Sequence, residues 1–143
     1  MKASELRIGN LVYARTIRYH KDAICSISGL NHKGIYVKYG NGHIIPNDIK
    51  PIFLTEEWLI KIGFEKWDIK GEWVFEKVIF KDFDIEQKMI ICSSGTCSLE
   101  EQENHPDVDV QQFIIRQDIK YVHQLQNLYF ALTGKELEHE EQS

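Results

Sequence analysis

Two spacings of apolar positions run along the chain, and the places where one gives way to the other mark out its elements. In "GIYVKYG" alternation sends Ile35, Val37 and Tyr39 to one side and Tyr36 and Lys38 to the other, so the first three are expected in a core. The short β-prone runs "LVYA", "KDAICSISGL", "GIYVKYG" and "HIIP" are separated by Gly9–Asn10, "NHKG" and "GNG", which are turn signals. "PNDIKPIF" adds a tight turn and a fifth short strand, since Pro46 and Pro51 exclude a continuous central one. The pattern then changes. "LTEEWLIKIGF" predicts a helix of about two turns, with Thr55 as its N-cap, Glu56 and Glu57 at the positive end of the dipole and Gly63 as its stop.

Alternation returns from Phe64 to Cys92 and predicts three strands, broken near Gly71 and around residues 82–88. Both Trp73, Phe75 and Ile79 and the opposite set Val74, Val78 and Phe80 are apolar, which predicts a sheet covered on at least part of both faces. "SSGTCSLEEQENHPDVD", residues 93–109, reads as a polar, acidic loop, and "VQQFIIRQ" as one more strand. Asp118 is then expected to cap a terminal helix. Ile119, Val122, Leu125, Leu128, Tyr129 and Leu132 recur at helical spacing, and Gly134 ends the run. This stripe forms one buried face, while His123, Gln124, Gln126, Asn127 and Phe130 lie around the sides and back. Gln126 and Phe130 are therefore the candidate partner-binding residues of the helix, with Phe130 either packed against the meander, as a lid residue would be, or serving as an aromatic anchor for a partner or for a second copy of the chain.

The expected fold class is α+β, in two parts packed as one unit. Residues 1–53 form a small β-barrel, and residues 54–143 form a linking helix, a β-meander and a C-terminal helix that closes it. The stretches "IGNLVYA", "SGLNHKG", "IYVKYGNGHII" and "NDIKPI" resemble the SH3-like barrels of Tudor and KOW modules. Such barrels bind RNA, DNA or peptides, so the resemblance implies a fold without selecting a function.

Composition narrows the classes. A chain of 143 residues, 43% hydrophobic and 27% charged, has the profile of an ordinary globular domain. No apolar run reaches the roughly 18 to 20 residues of a membrane span, and the first 20 residues hold no apolar block suited to a signal peptide, so the expected location is the cytoplasm. Cys25, Cys92 and Cys97 make an odd set that suits a reducing compartment and free thiols. The net charge of −5 divides into +5 on residues 1–53 and −10 on the remainder. A basic end can meet an anion, and an acidic end a basic partner.

Candidate chemistry is sparse. Cys92, Cys97 and His105 leave a zinc shell incomplete, and Cys97, His105 and Asp107 sit in an acidic stretch that would raise a thiol pKa rather than lower it. Asp82, Asp84 and Glu86 alternate along a strand end, as an edge that resists strand pairing does. No metal, cofactor or catalytic residue is expected, and the chain reads as non-enzymatic. Nucleic acid has better material: Arg15, Arg18, Tyr19, His20 and Lys21 crowd the first barrel loop, and outward Tyr36 and Lys38 would add an aromatic and a cation nearby. The acidic remainder and a pI near 5.7 count against it.

The segments "YVHQLQNLYFALTGKEL", "RIGN" and "PIFLTEEWLIKIGF" are similar to a group of small uncharacterised proteins carried by phages and mobile elements of gut anaerobes. The resemblance implies an origin and no activity. The functional expectation is a non-enzymatic binding protein that contacts a host macromolecule in the host cytoplasm. A host protein or a second copy is preferred as its partner, RNA or DNA bound by the basic loop is the alternative, and no membrane is involved.

Overall fold

A computed structural model of the chain describes residues 1–16, 19–69, 71–105 and 107–139, with the side chains of residues 19–21 and 69 outside that description. The chain divides into two compact units, one of residues 1–54 with 121–137 and the other of residues 55–120 with the C-terminal end. Each unit holds a five-stranded antiparallel sheet and one α-helix.

In the first unit the strands are β1 (Leu11–Thr16), β2 (Tyr19–Asn31), β3 (Gly34–Tyr39), β4 (Gly42–Ile44) and β5 (Asp48–Lys50), in the spatial order β4-β3-β2-β1-β5. All five were legible from turn signals. Val12, Ala14, Cys25, Ile27 and Val37 form a buried cluster with Leu6, and Ile35, Tyr39, Ile44 and Ile49 pack against it. Every strand therefore contributes to one cluster, which requires the sheet to curl. Register shifts at Ala14/Thr16 in β1 and Ile27/Gly29 in β2 supply bulges of the kind that bend strands. The expected closed barrel is not what forms. Among the described residues β4 pairs only with β3 and β5 only with β1, so the sheet is open, with three-residue strands at both edges.

The terminal helix α2 (Val122–Thr133) belongs to this first unit, whereas the sequence suggested that it closes the meander. It packs along β1. Hydrophobic spacing identified the helix but could not identify its sheet, because the decisive contacts are polar. The Leu11 N–H donates to Gln126 Oε1 (2.9 Å), Gln126 Nε2 donates to the Gly9 carbonyl (3.3 Å), and Asn10 Nδ2 donates to Asn127 Oδ1 (2.8 Å). Asn127 Nδ2 also donates to the Glu5 carbonyl (3.0 Å). Arg7 completes the clamp by ion-pairing with Glu136 and donating to Asn127 Oδ1 (3.3 Å). The helix starts at Tyr121 rather than Asp118. Tyr121 bridges Phe53 as a short antiparallel pair, its N–H is capped by Gln124 Oε1 (3.2 Å), and Asp118 instead takes a left-handed φ of 61°. Gly134 ends the helix at φ 69°, where its N–H reaches the Phe130 carbonyl at 2.8 Å, a turn that glycine adopts without a Cβ penalty.

The second unit begins with α1 (Glu56–Lys61), capped as expected by Thr55, whose Oγ1 accepts from the Trp58 N–H at 3.3 Å. Trp58, Leu59, Ile62 and Phe64 are buried. The meander runs β6 (Glu65–Ile69), β7 (Glu72–Lys81), β8 (Ile85–Cys92), β9 (Cys97–Glu103) and β10 (Gln111–Arg116), and its spatial order is its chain order. One correction concerns β9, which occupies the middle of the stretch read as an acidic loop. Its "SLEEQE" carries carboxylates that stand opposite Lys88 and Gln87 of β8, and pairing with an existing strand outweighs their weak β-propensity. Phe75, Ile91 and Cys97 form one buried rung across the sheet, with Met89 buried on the same face.

Candidate binding surfaces

The meander's other face is only partly covered. Alternation places Val74, Glu76 and Val78 of β7, Lys88, Ile90 and Cys92 of β8, and Ser98 and Glu100 of β9 on it. Trp67 stands opposite Val74 at one side, and Ile114 opposite Ser98 at the other. Ile90 and Ser98 are buried, whereas Trp67 is 52% exposed and Ile114 64%. Between them lies a groove of about 460 Å³ lined by Trp67, Val74, Glu76, Lys88, Ile90, Cys92, Glu100 and Gln112. The two-sided apolar character of β7 was visible in sequence. The expectation that both faces are covered holds only in part.

Charge in this groove is organised around Lys88, whose Nζ lies 3.4 Å from Glu76 and 3.4 Å from Glu86. Burial alone would lower its pKa, but the two carboxylates outweigh burial and hold the ammonium above its usual range. Glu86 is held below the usual carboxylate range, first by the hydrogen bond from Lys81 and then by Lys88. Glu76 and Glu100 thus line the groove with one cation between them.

The tip of the β7–β8 hairpin was not legible as a feature. Asp82 Oδ1 accepts from the N–H groups of Asp84 and Ile85 (2.8 Å each), and Asn104 Nδ2 donates to the Phe83 carbonyl (3.1 Å). This tied turn displays Phe83 at 94% exposure. Asp82 is therefore occupied as a turn cap and Glu86 by its lysines, so the three alternating carboxylates do not converge. Among the described residues no three His, Cys, Asp or Glu side chains gather as a metal site would require. Cys97 is sealed in its rung, where burial first and the neighbouring Cys92 second push its thiol to about 12, far from a nucleophile's range. Cys92 stands on the opposite face of the sheet, because Cys97 pairs with Ile91.

The predicted nucleic-acid residues are dispersed. Arg18 lies outside the described residues, as do the side chains of Tyr19, His20 and Lys21. Arg15 pairs with Asp22 at 3.4 Å, and Lys50 reaches both Asp22 and Asp48, so the described part of this corner is charge-balanced. Lys38 shares a rung with Ser26 and Leu11, four residues or about 13 Å along the strand from Arg15. Tyr36 lies farther still, half-buried with its ring against Gly29. The expected nearness of Tyr36 and Lys38 to the basic loop fails because β3 runs parallel to β1, which directs residue 36 away from Arg15.

Gln126 does not face outward. It is buried and spends its amide on β1 and on Gly9. Phe130 is 38% exposed and carries the Arg7 guanidinium 4.2 Å from its ring centre. His123, placed at the side of the helix from its spacing, is also buried and stacks on Tyr121. Leu132, assigned to the buried stripe, is exposed. Hydrophobic spacing rotated the inward face away from the polar residues that actually dock it. No helix among the described residues is long and apolar enough to cross a membrane. No family model, curated protein or solved structure matches the chain.

Proposed function

We propose that the chain is a non-enzymatic binding protein, of the phage or mobile-element kind its ends resemble, and that it captures a host protein on the open face of its C-terminal meander. The observation that carries this reading is the groove of about 460 Å³ between Trp67 and Gln112. An exposed tryptophan beside an apolar floor is the composition of an interface anchor, and apolar surface left in water is retained where a partner covers it. Glu76 and Glu100 on its walls favour a partner segment that combines aliphatic and basic side chains, with Lys88 fixing the geometry of Glu76 by its ion pair.

The test is affinity capture from a gut-anaerobe lysate, comparing the parent with Trp67→Ser, Glu100→Lys, and the triple variant Arg15→Glu, Arg18→Glu, Lys21→Glu. The expected result is a captured protein lost in the first two variants and kept in the third, with unchanged melting in all. Capture that survives Trp67→Ser and Glu100→Lys overturns the assignment of the face. Capture that vanishes with the triple variant and with nuclease treatment instead supports nucleic acid at the basic corner.

A further inference from the structure

The edges of the two sheets are not protected alike. An edge strand offers unpaired backbone donors and acceptors, and natural sheets blunt it with short strands, charge or proline. The edges β4 and β5 are three residues long, and β5 carries Asp48 and Lys50. The edge β6 carries Glu65, Lys66 and Asp68 in five residues. The edge β10 is less protected: its one charged residue is Arg116 at the last position, the stretch from Val110 to Ile115 reads "VQQFII" with no charge and no proline, and Phe113 and Ile114 are 54% and 64% exposed. Its one irregularity is the register shift between Ile114 and Arg116, a bulge at the C-terminal end of the strand that leaves Gln111 to Ile114 in regular register.

We propose that β10 is a dimer interface, in which two copies of the chain pair antiparallel through this edge about a two-fold axis at Phe113 and join their meanders into one continuous sheet. Only an axis perpendicular to the sheet brings two identical edges together antiparallel, and such an axis keeps equivalent faces on the same side, so the central residue meets its own copy. With Phe113 at the centre, the two phenylalanines are cross-strand neighbours and Gln112 stands opposite Ile114 of the second copy. No like charges meet. Arg116 at one end falls opposite Val110 of the second copy, and Asp109 opposite Gln117. The same operation on β6 about its central Trp67 would set Lys66 opposite Asp68 but leave three charged side chains per copy to be desolvated at the seam. A second copy therefore fits β10 better than any other edge in the molecule. The inference does not rest on the groove: Gln112 lines the groove as well as the edge, but sedimentation reads self-association and not capture of a host protein.

Sedimentation equilibrium across a concentration series tests it, with Phe113→Lys, Phe113→Glu, Gln112→Lys and the opposite-edge control Trp67→Lys, each checked for an unchanged melt. The parent and Trp67→Lys are expected to dimerise reversibly, and each single charge on β10 to weaken the dimer at least about tenfold by opposing or stranding charge at the seam. An equimolar mixture of Phe113→Lys and Phe113→Glu should recover dimer, because the axis places residue 113 against residue 113. Should Phe113→Lys misfold, Gln112→Lys, which changes an already polar exposed side chain, decides alone. A parent that stays monomeric, a dimer indifferent to the β10 charges, or a mixture that fails to recover while both variants are folded overturns the proposal.

Discussion

The two sheets have the same number of strands and the same antiparallel pairing, yet they arrange their buried side chains differently. The N-terminal sheet curls, so that alternate residues of all five strands meet in one cluster, and it draws in a helix from the far end of the chain through a clamp of side-chain amides and an arginine. The C-terminal meander follows chain order with a hairpin at each step and leaves aromatic and aliphatic side chains on its open face, hairpin tip and outer edge: Trp67, Phe83, Phe113 and Ile114. The first unit also leaves single apolar side chains exposed, Ile8, Ile45 and Phe53 among them, so what separates the two is closure of all five strands around one cluster and not the amount of apolar surface in water.

The largest effects should come from the two cores. Phe75 and Leu125 are both fully buried, one in each unit. Phe75→Ala is expected to cost about 3–5 kcal/mol and Leu125→Ala about 2–5 kcal/mol in denaturant unfolding, the loss of transfer energy plus the cavity left behind. Equal sensitivity of one cooperative transition to both would mean that the units unfold together. Two transitions, each moved by its own substitution, would separate them.

Next in size is the clamp. Gln126→Leu removes the acceptor for the Leu11 N–H while preserving most of the side-chain volume, so an unsatisfied buried donor should cost about 1–3 kcal/mol. An unchanged stability would show that the amide is incidental and that apolar contact alone docks α2 on β1. The expected loss would confirm the role of a residue that spacing alone had assigned to the surface.

That residue also marks where the sequence stopped being legible. Turn pairs and alternation located the five N-terminal strands, α1 and four strands of the meander, because each depends on neighbours within a few positions. The carboxylates of "SLEEQE" hid β9, since its stabilisation comes from a neighbouring strand. Register across three strands decided that Tyr36 and Arg15 are far apart, and long-range amides decided which sheet takes α2. The open groove was half visible as the two apolar phases of β7. The display of Phe83 and the position of β10 at the sheet's edge follow from strand order, which local pattern does not encode.

A smaller effect acts through pH. The Cys97 thiol has its pKa raised by burial from 9.0 to about 12 in the folded chain. A raised folded pKa means that the folded state keeps the proton the unfolded state gives up, so this contribution is intact below pH 9 and is lost as pH rises from 9 toward 12. At pH 10 the loss is about 1 kcal/mol. Stability of the parent should therefore fall more steeply above pH 9 than that of Cys97→Ala. Parallel pH profiles would place Cys97 in contact with solvent.

The smallest effects come from two phenylalanines, one from each unit, and they sharpen the comparison most. Phe130 is partly covered by Arg7, which also pairs with Glu136, so Phe130→Ala should cost about 0.5–1 kcal/mol, the value of an exposed cation–π contact. Phe83 is 94% exposed, and its turn is held by hydrogen bonds from Asn104 and to Asp82 that do not involve the ring. Phe83→Ser should therefore leave stability within about 0.5 kcal/mol of the parent, as ordinary surface substitutions do. Thermal melts of the two variants side by side provide the measurement. A cost at Phe83 equal to that at Phe130 would mean that the ring packs on its own chain, and the hairpin tip would then belong to internal closure, as in the first unit. A neutral Phe83→Ser leaves an aromatic ring whose turn is built without it.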